Sequence, residues 1–204
     1  MKKALLLLST ILYLLLLIGC TSKDESGVVS QPASDAATIS FDYAKQSGYA
    51  SNQFAVWIED AEGNMVKTLY ATRFTANGGY KNRTDSIPAW VEKSGLASMD
   101  KTEIDAITGP TPKSGTLSYV WDLKDESGNR AAPGEYTFFV EGSLRWKNRV
   151  LFSGTIEIGE SPATAQADAK YYYEASVDQQ ALTDQSPENA MLGKVTAAYI
   201  PAGE

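Results

Sequence analysis

The sequence predicts an all-β protein, an antiparallel sandwich with one long, partly helical connection. Three observations carry that expectation. Apolar residues recur at every second position in several short stretches; Gly, Asn, Asp and Pro cluster between those stretches; and the interval from Gly78 to Gly115 keeps neither habit. Alternation at period two places one face of a strand in a core and the other in water. Short strands spaced by turn residues assemble into sandwiches.

The N-terminus comes first in order. Met1-Lys2-Lys3, the run from Ala4 to Ile18 and Leu17-Ile18-Gly19-Cys20 supply a positive n-region, an apolar h-region and a lipobox. Spanning hydrocarbon takes roughly 20 apolar residues, more than this run offers before polar Thr21-Ser22-Lys23-Asp24, so a signal peptide is favoured over a transmembrane helix. The expectation is a lipoprotein signal peptide over 1–19, cleavage before Cys20, and acylation of the Cys20 thiol as the lipid anchor. Each buried methylene contributes about 0.8 kcal/mol, so two or three acyl chains hold a protein to its membrane without a spanning segment. From Thr21 to Ala37 the chain is Ser, Asp, Gly, Ala and Pro with few large apolar groups, which predicts a flexible tether over 20–37. Residues 38–204 are expected as a single domain, within the usual size range.

Within that domain, strands are expected at Thr38–Tyr43, Phe54–Glu59, Met65–Phe74, Leu117–Asp122, Glu135–Glu141, Val150–Ile158, Ala169–Glu174 and Val195–Ile200. Tyr171-Tyr172-Tyr173 is read as strand with alternating burial. Two hairpins are expected, one turning through Glu59-Asp60-Ala61-Glu62-Gly63-Asn64, the other returning from Asp122 through Asn129 toward Pro133-Gly134-Glu135-Tyr136. Carboxylate and amide side chains there accept local backbone N–H bonds, and glycine takes positive φ without steric cost. In the long interval, Asp85 or Ser86 is expected to cap a short helix through Pro88-Ala89-Trp90-Val91-Glu92-Lys93, stopped at Gly95. Connections of such length in compact domains are usually functional, so the site is sought there.

Composition narrows the chemistry. The sole cysteine is Cys20, and the chain has no histidine. That removes disulfides from the mature domain, His-based triads, and the commonest neutral-pH acid-base group. A hydrolase is disfavoured further by the lack of a Gly-x-Ser-x-Gly elbow. The formal charge of −7, or −9 without Lys2 and Lys3, predicts no nucleic-acid partner. No acidic cluster has calcium-ligand spacing, and no metal is assigned.

The long interval contains Asp105-Ala106-Ile107-Thr108-Gly109-Pro110-Thr111-Pro112. Gly-Pro-Thr-Pro is turn chemistry with no competing strand pattern, suited to presenting a hydroxyl; the plainer alternative is a rigid loop with Asp105 capping a turn. The segment resembles the acceptor motif of exported proteins that carry covalent FMN, in which Asp, two residues, Ser or Thr, Gly and Ala precede the modified Thr. Carried over, the resemblance implies Thr111 as acceptor, with Asp105, Thr108 and Gly109 as motif residues. It also implies an FAD:protein FMN transferase and a membrane redox partner. Pro110 stands where that family has Ala.

A wider resemblance covers most of the mature chain. Gln53 to Asp60, Gly63, Val66 to Tyr70, Gly78-Gly79-Tyr80, Pro88-Ala89-Trp90 and Tyr119-Val120-Trp121-Asp122 look like the bacterial domain-of-unknown-function family 2271. The stretch from Trp121-Asp122 through Gly128-Asn129 to Pro133-Gly134-Glu135-Tyr136-Thr137 is similar to the Ig-like domains of flagellar hook-capping proteins. The resemblance therefore implies an Ig-like sandwich and export to the periplasmic face or cell surface, while fold alone does not fix function.

Among Trp57, Trp90, Trp121 and Trp146, Trp90 shares the long interval and is the candidate for stacking on a flavin ring; the strand tryptophans are expected in the core. Lys81 and Arg83, or Arg145, Lys147 and Arg149, are candidates to neutralise a phosphate, against the plainer reading of a solvated face. Two functions follow as expectations: a lipid-anchored electron carrier with FMN on Thr111, or a cofactor-free Ig-like interaction module of the cell envelope. Neither is a stand-alone enzyme.

Overall fold

Strand β1 (Ala36–Tyr43) sends Ala37, Ile39, Phe41 and Tyr43 into the core at period two, as its sequence demands. The computed structural model describes residues 35–47, 52–145, 147–173 and 190–202. The expected leader, Cys20, all of the tether but its last three residues, and Trp146 lie outside the described residues. Those described fall in one unit, Pro32–Glu204.

After β1 come β2 (Gln53–Glu59) and β3 (Met65–Thr72), then an irregular helical turn over Thr75–Gly79 and the short helices α1 (Tyr80–Asn82), α2 (Pro88–Lys93) and α3 (Lys101–Ile107). A two-residue strand β4 (Thr108–Gly109) leads to β5 (Gly115–Trp121), β6 (Gly134–Arg145), β7 (Asn148–Ile158), β8 (Ala163–Gln166), β9 (Asp168–Tyr172) and β10 (Thr196–Ile200). All eight expected strands are present in some form; β4 and β8 were not expected, being too short for a periodic signal. The expected strand through Phe74 ends at Thr72, where the chain turns helical.

Two sheets pack face to face: β5-β1-β10-β8, and β4-β3-β2-β6-β7-β9. Pairing is antiparallel except between β3 and β4. Between the sheets lie Ile39 and Phe41 of β1, Phe54, Val56 and Ile58 of β2, Trp121 of β5, Phe138 and Val140 of β6, and Val150 and Phe152 of β7. Trp121 closes one end, its ring edge-on to Tyr136 at 4.9 Å and its indole N–H donating to the Lys124 carbonyl.

A third layer covers the outer face of the six-stranded sheet. Ala55 and Trp57 of β2 and Ala71 of β3 pack against Ala76, Ile87, Trp90 and Leu96 of the long connection. Every residue of β2 is therefore buried, rather than every second one. Trp57 belongs to this outer cluster, stacked on Phe139 at 4.9 Å, and not to the inter-sheet core expected for the strand tryptophans.

The Asp60–Asn64 hairpin turn forms as expected. The second expected hairpin does not: β5 and β6 lie in different sheets, and the residues between them cross from one to the other, with an isolated bridge between Lys124 and Arg130. The local turn chemistry is nevertheless identical in Asp60-Ala-Glu-Gly-Asn64 and Asp125-Glu-Ser-Gly-Asn129. In each, the Asp carboxylate accepts the Asn backbone N–H and its side-chain amide, and the Gly N–H donates to the Asp carbonyl. Gly63 and Gly128 take φ of 79° and 83°.

Candidate functional site

The long connection is fastened to the sheet by buried polar groups. Thr72 and Thr75 hydroxyls donate to Gln53 Oε1 at 2.8 and 3.2 Å, Ser86 Oγ meets Thr75 Oγ1 at 2.7 Å, and the Ile87 N–H donates to Ser143 Oγ. Neither Asp85 nor Ser86 caps α2. Ile87 occupies the N-cap position in left-handed geometry, φ 45°, with no side-chain cap bond. Such a conformation is strained for a β-branched residue, and complete burial of Ile87 holds it. The capping acceptor comes from the sheet instead: Glu141 Oε2 accepts the Trp90 N–H at 3.0 Å. Its Oε1 accepts from Arg149 Nη1 at 2.8 Å. Burial pushes the Glu141 carboxyl above its ordinary value, opposed by the Trp90 and Ala89 amides and by Arg149.

Trp90 is fully buried, and its indole N–H donates to Thr68 Oγ1 at 3.2 Å. The expectation that it stacks on a flavin is corrected accordingly: its ring is packed within the protein as a strut between α2 and the sheet. The other end of α2 is held by Lys93, whose ammonium meets buried Glu59 at 3.1 Å and the Gly63 carbonyl at 2.6 Å. Glu59 in turn accepts from the Trp57 indole.

Below this layer the expected acceptor segment takes a definite course. Asp105 sits, exposed, within α3 and caps no turn. The cap belongs to Asp100, which accepts from the Glu103 N–H while the Glu103 carboxylate accepts from the Asp100 N–H. The pattern Asp100-x-x-Glu103 was a legible helix start that the turn reading of this stretch passed over. Thr108 and Gly109 then pair in parallel with Ala71 and Thr72 at the sheet edge. Thr108 Oγ1 is buried without a hydrogen-bond partner among the described residues.

Gly109 lies against Tyr70. A Cβ at position 109 would come within 2.7 Å of the Tyr70 ring, closer than real Cβ contacts run. The Tyr70 hydroxyl donates to the Pro110 carbonyl at 2.8 Å. Burial pushes the Tyr70 phenol up to about 12, so it remains a donor. Its ring is fixed by Phe54 at 5.1 Å and Tyr119 at 4.9 Å. Downstream, Ser114 Oγ accepts the Lys45 N–H at 2.9 Å. Thr111 thus stands between two tethered points, half-exposed, and among the described residues nothing is hydrogen-bonded to its hydroxyl.

Two of the basic residues considered for phosphate, Lys147 and Arg149, lie elsewhere. Lys147 and Arg149, with Thr84, Asp85, Pro88, Tyr172 and Tyr173, line a cavity of about 370 Å³ between the connection and the β7–β9 edge. Arg149 stacks on Tyr172 at 3.7 Å, and Glu141 offsets its charge. No group of three acidic or cysteine side chains that could hold a metal occurs among the described residues, and no helix there is long and apolar enough to cross a membrane.

A family model described as "Predicted periplasmic protein (DUF2271)" matches residues 36–175. No curated protein and no solved structure matches the chain.

Proposed function

The chain belongs to the DUF2271 family of predicted periplasmic proteins, an extracytoplasmic group, and on that premise we propose that it is an electron carrier with FMN joined covalently to Thr111. The carrying observation is the state of that residue: half-exposed, its hydroxyl free of protein hydrogen bonds among the described residues, on a segment fixed before and after it. A threonine that must enter another enzyme's active site needs such presentation.

Attachment would proceed on FAD. The Thr111 oxygen attacks the flavin-side phosphorus, the bond between the two phosphates breaks, AMP leaves, and the hydroxyl proton passes to a base of the FAD:protein FMN transferase. When bound, the flavin supplies the redox chemistry. What supports the reading locally is that Thr108 Oγ1 is a buried hydroxyl with no hydrogen-bond partner among the described residues, and that Gly109 lets the backbone leading to Thr111 pass close beside Tyr70. Electrons would come from a membrane redox partner and pass to another exported protein.

The same proposal keeps the lipid anchor at Cys20, supported by the lipobox and the positive, apolar leader before it. It also keeps the Ig-like assignment. The support there is the Tyr136 hydroxyl, which donates to the Ala132 carbonyl four residues upstream at 2.7 Å, near the start of β6. That bond resembles the tyrosine corner of Ig-like sandwiches.

Intact-mass measurement of mature protein produced with its transferase tests the proposal. The expected result is one FMN phosphoester per chain, absent from Thr111→Ala. An unchanged wild-type mass, or an adduct that survives Thr111→Ala, overturns it in favour of the cofactor-free envelope module.

A further inference from the structure

We infer that Tyr70 is the positioning residue for modification of Thr111, holding Gly109 and Pro110 against β3 so that the acceptor hydroxyl is offered in one orientation. This rests on the flavin-carrier reading and extends it to a residue outside the acceptor motif, on another strand.

Four observations converge on Tyr70. Its hydroxyl binds the carbonyl of the residue immediately before Thr111, at 2.8 Å. Its ring occupies the space that any side chain at position 109 would need, 2.7 Å from the ideal Cβ. The ring does not yield easily, because Phe54 and Tyr119 pack on it and Tyr119 is itself stacked against Phe41 at 6.0 Å. The backbone agrees: β4 joins the sheet for two residues, opposite Ala71 and Thr72, which directly follow Tyr70. So short a ladder holds register weakly by itself, and the phenol supplies a second fixed point just beyond it.

Pro110 fits the same picture. A proline has no N–H, so its carbonyl is the one backbone hydrogen-bonding group at that position, and Tyr70 takes it. Its ring also fixes φ, so the phenol and the proline together leave the backbone leading into Thr111 little freedom. Transfer then proceeds from a preformed geometry, with less ordering cost inside the transferase.

The test incubates purified mature protein with transferase and FAD and follows FMN incorporation by intact mass, which reads the modification and not any redox activity. Tyr70→Phe keeps the ring and loses the bond; incorporation should slow about five-fold, the population cost of one net hydrogen bond. Gly109→Ala should slow it ten-fold or more, by pushing the segment off the ring. Tyr70→Ala combined with Gly109→Ala should be no slower than Tyr70→Ala alone, because the collision is gone, and that non-additivity marks direct contact. Ile156→Val, which loosens the core on β7 away from the segment, should lower stability and leave the rate unchanged. Wild-type protein that takes up no FMN removes the carrier reading and this inference with it. Wild-type uptake with Tyr70→Phe and Gly109→Ala at the wild-type rate overturns the role of Tyr70 alone.

Discussion

Glu141 and Arg149 form an ion pair in which the carboxylate side chain is wholly buried and the guanidinium side chain is 21 % exposed. Together they hold the long connection: the carboxylate takes the backbone N–H of Trp90 with its other oxygen, and the guanidinium rests on Tyr172. Removing one partner of such a pair strands a charge, whereas replacing a charge by a neutral isostere keeps most of the hydrogen bonding. Arg149→Met is therefore expected to destabilise the fold by about 3 kcal/mol, the low end for buried pairs because Arg149 reaches solvent. Glu141→Gln should cost less, about 1–2 kcal/mol. Denaturant unfolding of the two variants checks the order.

Trp90 supplies the second prediction. Trp90→Phe loses the bond to Thr68 and part of a fully buried ring, and should cost about 2–3 kcal/mol, short of the 3–5 kcal/mol of complete truncation. FMN incorporation at Thr111 should be unaffected. Thermal unfolding paired with intact mass separates the two effects, and a loss of incorporation without loss of stability would return Trp90 to the site.

How far this was legible from the chain depends on sequence distance. The strands and the Asp-x-x-Gly-Asn turns are local, and their residues announce them. The start of α3 was equally local in Asp100-x-x-Glu103. The cap on α2 was hidden, because its acceptor, Glu141, lies 51 residues away on another element. Double burial of β2 was hidden for the same reason: alternation reports that one face is apolar, and only the folded connection decides that the other face is covered as well. The surroundings of Thr111 depend on Tyr70, 40 residues upstream of the carbonyl it holds, so the motif could suggest an acceptor without showing what fixes it.

The paired turns predict an acid response. Hydrogen bonds from Asn64 and Asn129 hold the Asp60 and Asp125 carboxyls below their ordinary value of 3.8. A folded-state pKa lowered in this way gives stability that is fully present above about 3.8 and is lost as the pH falls through the folded values. Stability measured by denaturant from neutral pH downward should decline in that window, and the double variant Asp60→Asn, Asp125→Asn should flatten the decline. An unchanged slope would show that these turns do not carry it.

The Tyr136 hydroxyl predicts a small, specific loss. Tyr136→Phe keeps the edge-on contact with Trp121 and removes only the bond to the Ala132 carbonyl. A cost of about 1 kcal/mol is expected, with faster exchange of the Gly134 amide. Equal stability of the two proteins would mean that water replaces the phenol at no cost.

The brevity of β4 has an architectural consequence. An unpaired margin on a six-stranded sheet is a template onto which a neighbouring molecule's backbone can add, molecule after molecule. Here the margin is sealed for only two residues and then diverted through Pro110 and Pro112, neither of which has an N–H to donate. The bend that exposes Thr111 keeps β4 itself too short to serve as such a template, so replacing both prolines should lengthen β4 and promote association of copies, read by light scattering.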